Sequence, residues 1–253
     1  MKKTIYTLAC SLGLAFTPVA KAIPTLQLDI AGGTYVGGTE ESTEATTNVF
    51  TLYALGLNSG NTTISTSLSY YISAALVKID GTAIPYGNGG NTNLGSFSFA
   101  GTTVNAVGGM VYGNPPLETN LLFDSGDLSK HGIFPAYFRE FEFKFSNANK
   151  TTAYNAQTDV YPLAHNSIPN VPGGAMYYVS FVVDVSNLAA GYGLHFDLYN
   201  ETVRSGGDID VNKFAPFSHD ASGYHHNVPD GGATLALLGL GLLGFGLMAR
   251  RKA

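Results

Sequence analysis

The stretch Phe141-Glu142-Phe143-Lys144-Phe145 alternates aromatic and charged residues at a period of two. A strand turns successive side chains to opposite faces, so the three rings share one face and the charges the other. The rest of the chain up to Asn227 is written the same way. Its apolar residues fall in short runs bounded by Gly, Asn and Pro, its composition favours Gly, Thr, Ser, Asn, Tyr and Phe, and no helical periodicity appears before Ala233. Strands are predicted near residues 25–30, 48–57, 63–79, 95–99, 102–112, 139–145, 176–185 and 194–199. The stretches 37–47, 87–95 and 118–132 read as turn-rich connections. Pro162, Pro169 and Pro172 exclude a continuous helix from the long loop 147–172. No repeat of 20–50 residues is visible. The expected fold class is all-β, an antiparallel two-sheet β-sandwich, jelly-roll-like, in one domain over residues 23–227. Two smaller sandwiches split near Gly113–Pro116 are the competing layout.

Two apolar segments flank this body. Lys2 and Lys3 precede an apolar stretch from Ile5 to Phe16, followed by Ala20-Lys21-Ala22, whose small residues suit signal peptidase. Residues 1–22 are therefore expected to be a signal peptide, helical in its apolar part and cleaved after Ala22. Its removal takes away Cys10, the single cysteine, so no disulfide is expected in the mature chain. At the other end, 17 uncharged residues from Ala233 to Ala249 follow Val228-Pro229-Asp230-Gly231-Gly232 and precede Arg250, Arg251 and Lys252. A helix of that length covers roughly 26 Å, enough for a short membrane span. A buried globular helix would carry a polar face, and this run offers only Thr234. The basic cluster stays on the cytoplasmic side, which puts the body outside.

The order of Pro-containing motif (228–232), apolar helix (233–249) and basic tail (250–253) resembles the PEP-CTERM sorting signal of exopolysaccharide-producing Gram-negative bacteria. Val228-Pro229-Asp230-Gly231-Gly232 is closer to the variant written VPDSG than to Val-Pro-Glu-Pro. The resemblance implies an exosortase-type membrane transpeptidase as partner, cleavage near the Pro motif, and a final place at the cell surface or in the extracellular matrix. It covers 26 of 253 residues and bears on location, not activity. Residues 51–55 (TLYAL), 194–199 (LHFDLY) and 213–221 (KFAPFSHDA) also resemble the choice-of-anchor proteins, a loose set of secreted bacterial β-domains with no agreed activity.

Setting aside the signal and sorting segments leaves seven basic and seventeen acidic residues, a net charge near −10. Such a balance argues against nucleic acid and anionic membrane surfaces as partners and suits an extracellular domain able to take up cations. The densest oxygen-bearing run is Asp208-Ile209-Asp210-Val211-Asn212, a D-x-D-x-N pattern that could supply three calcium ligands from one loop. Lys213 and His219 stand where an EF-hand needs Gly and Glu, so the choice is an irregular calcium site, completed by Asp220 or Glu201, or a solvated turn. Apart from calcium no cofactor is expected. The histidines His195, His219, His225 and His226 fall late, near Asp197 and Asp220. His195 and Asp197, two apart on a strand, share a face, which allows a metal site or, more commonly, a cross-strand polar contact.

Catalytic patterns are thin. Ser218-His219-Asp220 has the residue types of a triad, but three consecutive residues cannot converge as nucleophile, base and orienter. There is no G-x-S-x-G, no mature cysteine and no H-E-x-x-H. Glu140 with Glu142, and Asp208 with Asp210, are carboxylate pairs on single elements rather than the facing pair of a glycosidase. Tyr70-Tyr71, Tyr177-Tyr178 and Tyr192 could stack on sugars, although a strand turns one of each pair inward, and there is no Trp. The expectation is a secreted, surface-sorted protein without enzymatic activity, a structural or adhesive component of the envelope or exopolysaccharide matrix. A calcium-dependent glycan-binding module is the alternative, and a surface hydrolase a third reading.

Overall fold

In a computed structural model of the protein, the structure describes residues 23–37, 41–58, 63–87, 93–158 and 167–225. The signal segment with Ala20 and Ala22, the motif Val228 to Gly232, the apolar run 233–249 and Arg250, Arg251 and Lys252 lie outside the described residues. Among the described residues no helix is long and apolar enough to cross a membrane.

The chain is all-β. In order the strands are β1 (Leu26–Ile30), β2 (Thr34–Val36), β3 (Ser42–Glu44), β4 (Val49–Leu57), β5 (Tyr70–Lys78), β6 (Asn93–Phe99) and β7 (Thr102–Val107), then β8 (Val111–Gly113), β9 (Ala136–Phe143), β10 (Lys150–Thr151), β11 (Met176–Asp184), β12 (Tyr192–Val203), β13 (Ile209–Phe214) and β14 (Asp220–Tyr224). Single 3-10 turns occupy Ala156–Thr158 and Phe217–His219. The first sheet runs β1-β4-β11-β6-β7, with β10 also on β11. The second runs β2-β3-β14-β12-β5-β9-β8, with β13 also on β12. All pairings are antiparallel except β3 with β14, which is parallel, so the second sheet is mixed rather than purely antiparallel as expected.

Period-two alternation places the core between the sheets. Leu52, Phe97, Phe99, Phe181 and Val183 from the first sheet meet Ile72, Leu76, Phe143, Leu194, Phe196 and Leu198 from the second in one buried cluster. Phe99 is its hub: it stacks on Phe141 at 4.1 Å between ring centroids, on Phe181 at 5.0 Å, and lies 6.3 Å from Phe196. Truncating Phe99 to Ala would open a hole between the sheets and cost about 3–5 kcal/mol.

The predicted strands differ from the observed ones where local chemistry intervenes. The expected strand 63–79 begins only at Tyr70. Before it, Asn58 Oδ1 accepts from the Ile64 N–H at 2.7 Å, and the Ser65 and Ser67 hydroxyls bond each other at 2.8 Å. Such side-chain bonds give the backbone an alternative to a ladder. The expected strand 102–112 is two. Gly108-Gly109 turns back on Ala106 and Asn105, and the chain leaves the first sheet at β7 to enter the second at β8. β2, β3, β10, β13 and β14 were not anticipated, their residues being rich in Thr, Asp, Asn, Ser and Gly.

The outward face of the second sheet is not wet. Between β8 and β9 the chain makes an excursion over residues 114–135, and Leu128, Ile133 and Phe134 from it pack with Ala75, Val77, Phe138, Tyr199 and Tyr224 on the outer face. β5 and β12 are consequently buried on both faces along most of their length. Their outward residues, Ser73, His195, Asp197 and Tyr199, are covered although the pattern reads as core on one side and water on the other.

Candidate metal centre

Four titratable side chains converge under the excursion. His195 and Asp197 project from β12 on its outer face, Asp220 opens the neighbouring β14, and His131 descends from the excursion. Pairing of β12 with β14 aligns His195 with Ser222, and pairing with β5 aligns Asp197 with Ser73. His131 sits at φ +30°, a left-handed backbone that a residue with a Cβ adopts at a cost of about 1–3 kcal/mol. Its ring is wedged flat against Phe217 at 4.0 Å and edge-on to Phe134 at 5.7 Å.

The ligand-type atoms of the four groups lie within 4.8 Å of one another. His131 Nε2 is 3.1 Å from Asp197 Oδ1 and 3.8 Å from Asp220 Oδ2. His195 Nε2 is 3.7 Å from Asp197 Oδ1 and 3.5 Å from Asp220 Oδ2, and the two Nε2 atoms are 3.4 Å apart. The side chains are 8, 9, 2 and 1 % exposed for His131, His195, Asp197 and Asp220. Each of three groups is oriented from behind: His131 Nδ1 lies 2.6 Å from the Ser129 carbonyl, His195 Nδ1 3.1 Å from Ser222 Oγ, and Ser73 Oγ donates to Asp197 Oδ2 at 3.1 Å. Asp197 Oδ1 and both oxygens of Asp220 are buried without a hydrogen-bond partner among the described residues.

With only protons available the cluster is strongly polarised. Burial works against a charged His195, but the Asp197 and Asp220 carboxylates overcome it and hold the imidazole up to about 10. His131 is likewise raised against its burial by Asp197 and then Asp220. Burial would lift Asp197, yet the two histidines hold it below the usual carboxylate range. Asp220 is pushed up, by burial first and by the charge of Asp197 second.

A second group of carboxylates lies further along the same face. Glu140 of β9 accepts from the Tyr199 hydroxyl at 2.5 Å and from the Leu117 N–H at 2.9 Å. Burial raises Glu140. Glu201 of β12 is pushed up to about 8 by burial and then by Glu140, and Tyr71 to about 12 by burial and then Glu201.

From Ile209 onward the D-x-D-x-N run lies on a strand, not a loop. β13 pairs with the second half of β12, its Val211 N–H donates to the Gly126 carbonyl, and a bulge falls between Asn200 and Glu201. Asp210 is paired with Arg204, and Asn212 is exposed. Asp208 is exposed just before β13, and in the excursion Glu118, Asp124 and Asp127 could also hold an ion. Asp127 there is pushed up to about 6, by burial first and by the surrounding carboxylates, Asp208 among them. The structure does not gather Asp208, Asp210 and Asn212 around one point.

Of the residues singled out in the sequence, His195, Asp197 and Asp220 come together. His219 does not join them: its Nδ1 meets Ser218 Oγ at 3.0 Å and its Nε2 meets Asn155 Oδ1 at 3.2 Å. Ser218 and His219 thus do touch, while Asp220 joins His131 and His195 instead. His225 bonds the Leu188 carbonyl. His131 was missed because nothing in Lys130-His131-Gly132 marks it; only the apolar Leu128, Ile133 and Phe134 hint that the stretch packs down. Of the paired tyrosines, Tyr70 and Tyr177 are buried and Tyr71 and Tyr178 half-buried.

Residues 227–252 match the VPDSG-CTERM motif. A PEP-CTERM-like sorting signal therefore sits there, of the kind carried by exosortase-sorted surface proteins. No curated protein and no solved structure matches the chain.

Proposed function

We propose that this chain is an exported protein delivered by an exosortase-type transpeptidase to the cell surface or extracellular matrix, where its β-domain is a non-enzymatic structural or adhesive component. The observation that carries the reading is the sorting motif at residues 227–252. Signal peptidase would remove residues 1–22, and the 233–249 helix would hold the chain in the membrane until the 228–232 motif is processed. The body is read as a choice-of-anchor type β-domain on the residues now found on β4, β12 and the β13–β14 passage.

Two features of the domain support a role without turnover. Its most polarised groups, His131, His195, Asp197 and Asp220, are at most 9 % exposed, beyond reach of a polymer chain. Glu140, one of the two strand-borne carboxylates nearest to a hydrolytic pair, is already engaged by Tyr199 and Leu117. For adhesion the candidate surface is aromatic. Tyr86 is 77 % exposed and lies edge-on to Tyr112, which borders a cleft of about 260 Å³ lined also by Leu122, Phe123 and Lys130. Such rings can stack on the apolar faces of an extracellular polysaccharide.

The test is mass spectrometry of the C-terminus of the protein made in its host, with cell fractionation. A chain ending within residues 228–232, recovered from the surface or matrix, is the expected result. A chain retaining Arg250–Ala253 in the inner membrane would overturn the sorting reading. Release of reducing ends from the host polysaccharide by the purified protein would overturn the non-enzymatic one.

A further inference from the structure

We propose that His131, His195, Asp197 and Asp220 bind one divalent first-row transition-metal ion, zinc in preference, which fastens the 114–135 excursion to the outer face of the second sheet. This inference is independent of where the protein is delivered.

The geometry is that of a four-coordinate shell. A tetrahedron with metal–ligand bonds of about 2.0–2.1 Å has edges of about 3.3–3.4 Å. Five of the six edges between His131 Nε2, His195 Nε2, Asp197 Oδ1 and Asp220 Oδ2 measure 3.1, 3.4, 3.5, 3.7 and 3.8 Å. Those atoms come from β12, β14 and the excursion, so the shell is closed by two strands and a loop distant in sequence.

Hydrogen bonding points the same way. The Ser129 carbonyl can only accept, so His131 Nδ1 must carry a proton and donate it. A neutral His131 then turns the lone pair of Nε2 toward Asp197 Oδ1, 3.1 Å away, where two electron-rich atoms face each other. That contact is tolerable only with a cation between them, either a second proton on the ring or a metal ion. Asp220 favours the metal, since both its oxygens are buried without a well-formed hydrogen bond among the described residues, His195 Nε2 standing off at 3.5 Å from Oδ2. An unpartnered buried carboxylate oxygen is costly, and coordination would satisfy it. The supports behind the ligands, Ser129 on His131, Ser222 on His195 and Ser73 on Asp197, are the outer contacts that fix imidazole tautomer and carboxylate orientation in metal sites.

Charge selects the class of ion. Two carboxylates and two neutral imidazoles around a divalent ion sum to zero, the arrangement that a buried site tolerates best. Calcium takes six to eight oxygens at about 2.3–2.6 Å and is ill served by two imidazoles, whereas mixed nitrogen and oxygen ligands suit zinc and its neighbours. With all four positions filled by protein, no place is left for a reacting water, so the centre is structural. Its work is mechanical: it ties the loop-borne His131 to two strands.

The protein isolated from its host without chelators, analysed by elemental mass spectrometry, should carry about one equivalent of zinc. Chelation should lower Tm by about 10 °C, the size expected for an ion bound at roughly a thousand times its Kd. Zinc, but not calcium or magnesium, should restore it. His131→Ala leaves β12 and β14 intact and should reduce bound zinc to a small fraction, while Asp210→Asn should keep the full equivalent. No metal on the isolated protein together with no uptake or Tm shift on dialysis against zinc would overturn the proposal and leave a pair of imidazolium–carboxylate contacts. Full zinc on the His131→Ala protein would overturn it too, placing the ion elsewhere. Should that variant fail to fold, zinc content and zinc-dependent Tm of the unaltered protein decide the question.

Discussion

Along β13 and the residue before it, the oxygens of Asp208, Asp210 and Asn212 are offered at alternate positions of one stretch, whereas His131, His195, Asp197 and Asp220 arrive from a loop and two paired strands. The run looks the better ligand set on paper because its members are neighbours in sequence. In the fold Asp210 is taken by Arg204, and Asp208 and Asn212 are exposed. The scattered set closes into a shell instead. His195 and Asp197 have the same two-residue spacing as Asp210 and Asn212, so spacing is not what separates them. What does is the surroundings: β12 lies between β14 and β5 and beneath the excursion, while β13 has only β12 as a strand partner. Ligand convergence comes from neighbours on both sides and from a cover above, and an edge strand has less of both.

That contrast can be broken most severely at Asp197. Replacing it with Ala leaves two buried histidines without their main carboxylate and strands the Ser73 hydroxyl, and should cost about 3–5 kcal/mol in denaturant unfolding. A loss below 1 kcal/mol would mean that the cluster does not hold the sheet and excursion together. Next in size is Gly126→Ala. A Cβ there would run into the Asp210 carboxylate, which Arg204 restrains, so the excursion must lift from β13 at about 1–3 kcal/mol. A variant as stable as the parent would show the contact between excursion and β13 to be soft.

A smaller effect sharpens the comparison at the junction, where β12 passes from β14 to β13. Glu201 there is raised from 4.5 to about 8, by burial first, with Glu140, Glu142 and Glu118 around it and the Tyr71 hydroxyl beside it. As pH rises above 4.5 the unfolded chain gives up this proton while the folded protein keeps it. Its contribution is therefore fully present below pH 4.5, is lost between pH 4.5 and about 8, and is constant above. Glu201→Gln removes that slope, so its Tm should exceed the parent's by a few degrees near pH 8 and match it near pH 4.5. Melting curves at a series of pH values that shift by the same amount throughout would contradict this. The smallest effect is expected at Asn212→Ala, exposed on β13 and outside any shell, with a change within about 0.5 kcal/mol and no change in bound metal.

Much of the two-sheet core was legible because it is written in period two. Phe141 and Phe143, Leu194, Phe196 and Leu198, and the β4 and β11 runs all point where alternation puts them. β13 and β14 were not legible, since Asp, Asn, Gly and Ser have turn chemistry in isolation and are drawn into strands here by pairing with β12. His195 and Asp197 could be placed on one face from their spacing alone. That their face is dry could not be read, because polar residues alternating with apolar ones look the same whether water or a loop lies beyond them. The cover depends on Leu128, Ile133 and Phe134, three residues in a stretch otherwise full of turn formers. Asp220 was visible as a carboxylate near the late histidines, but its place beside His195 was not, because the parallel pairing of β14 with β3 is a long-range contact that no local pattern encodes.

The most direct test of the convergent centre is X-ray absorption at the zinc edge on the protein as isolated. The account predicts four nitrogen or oxygen neighbours at about 2.0–2.1 Å, outer-shell scattering from two imidazole rings, and no sulfur, the four proposed ligands being nitrogen and oxygen donors. A six-coordinate oxygen shell, or scattering without imidazole, would contradict it and place the ion on the surface carboxylates instead.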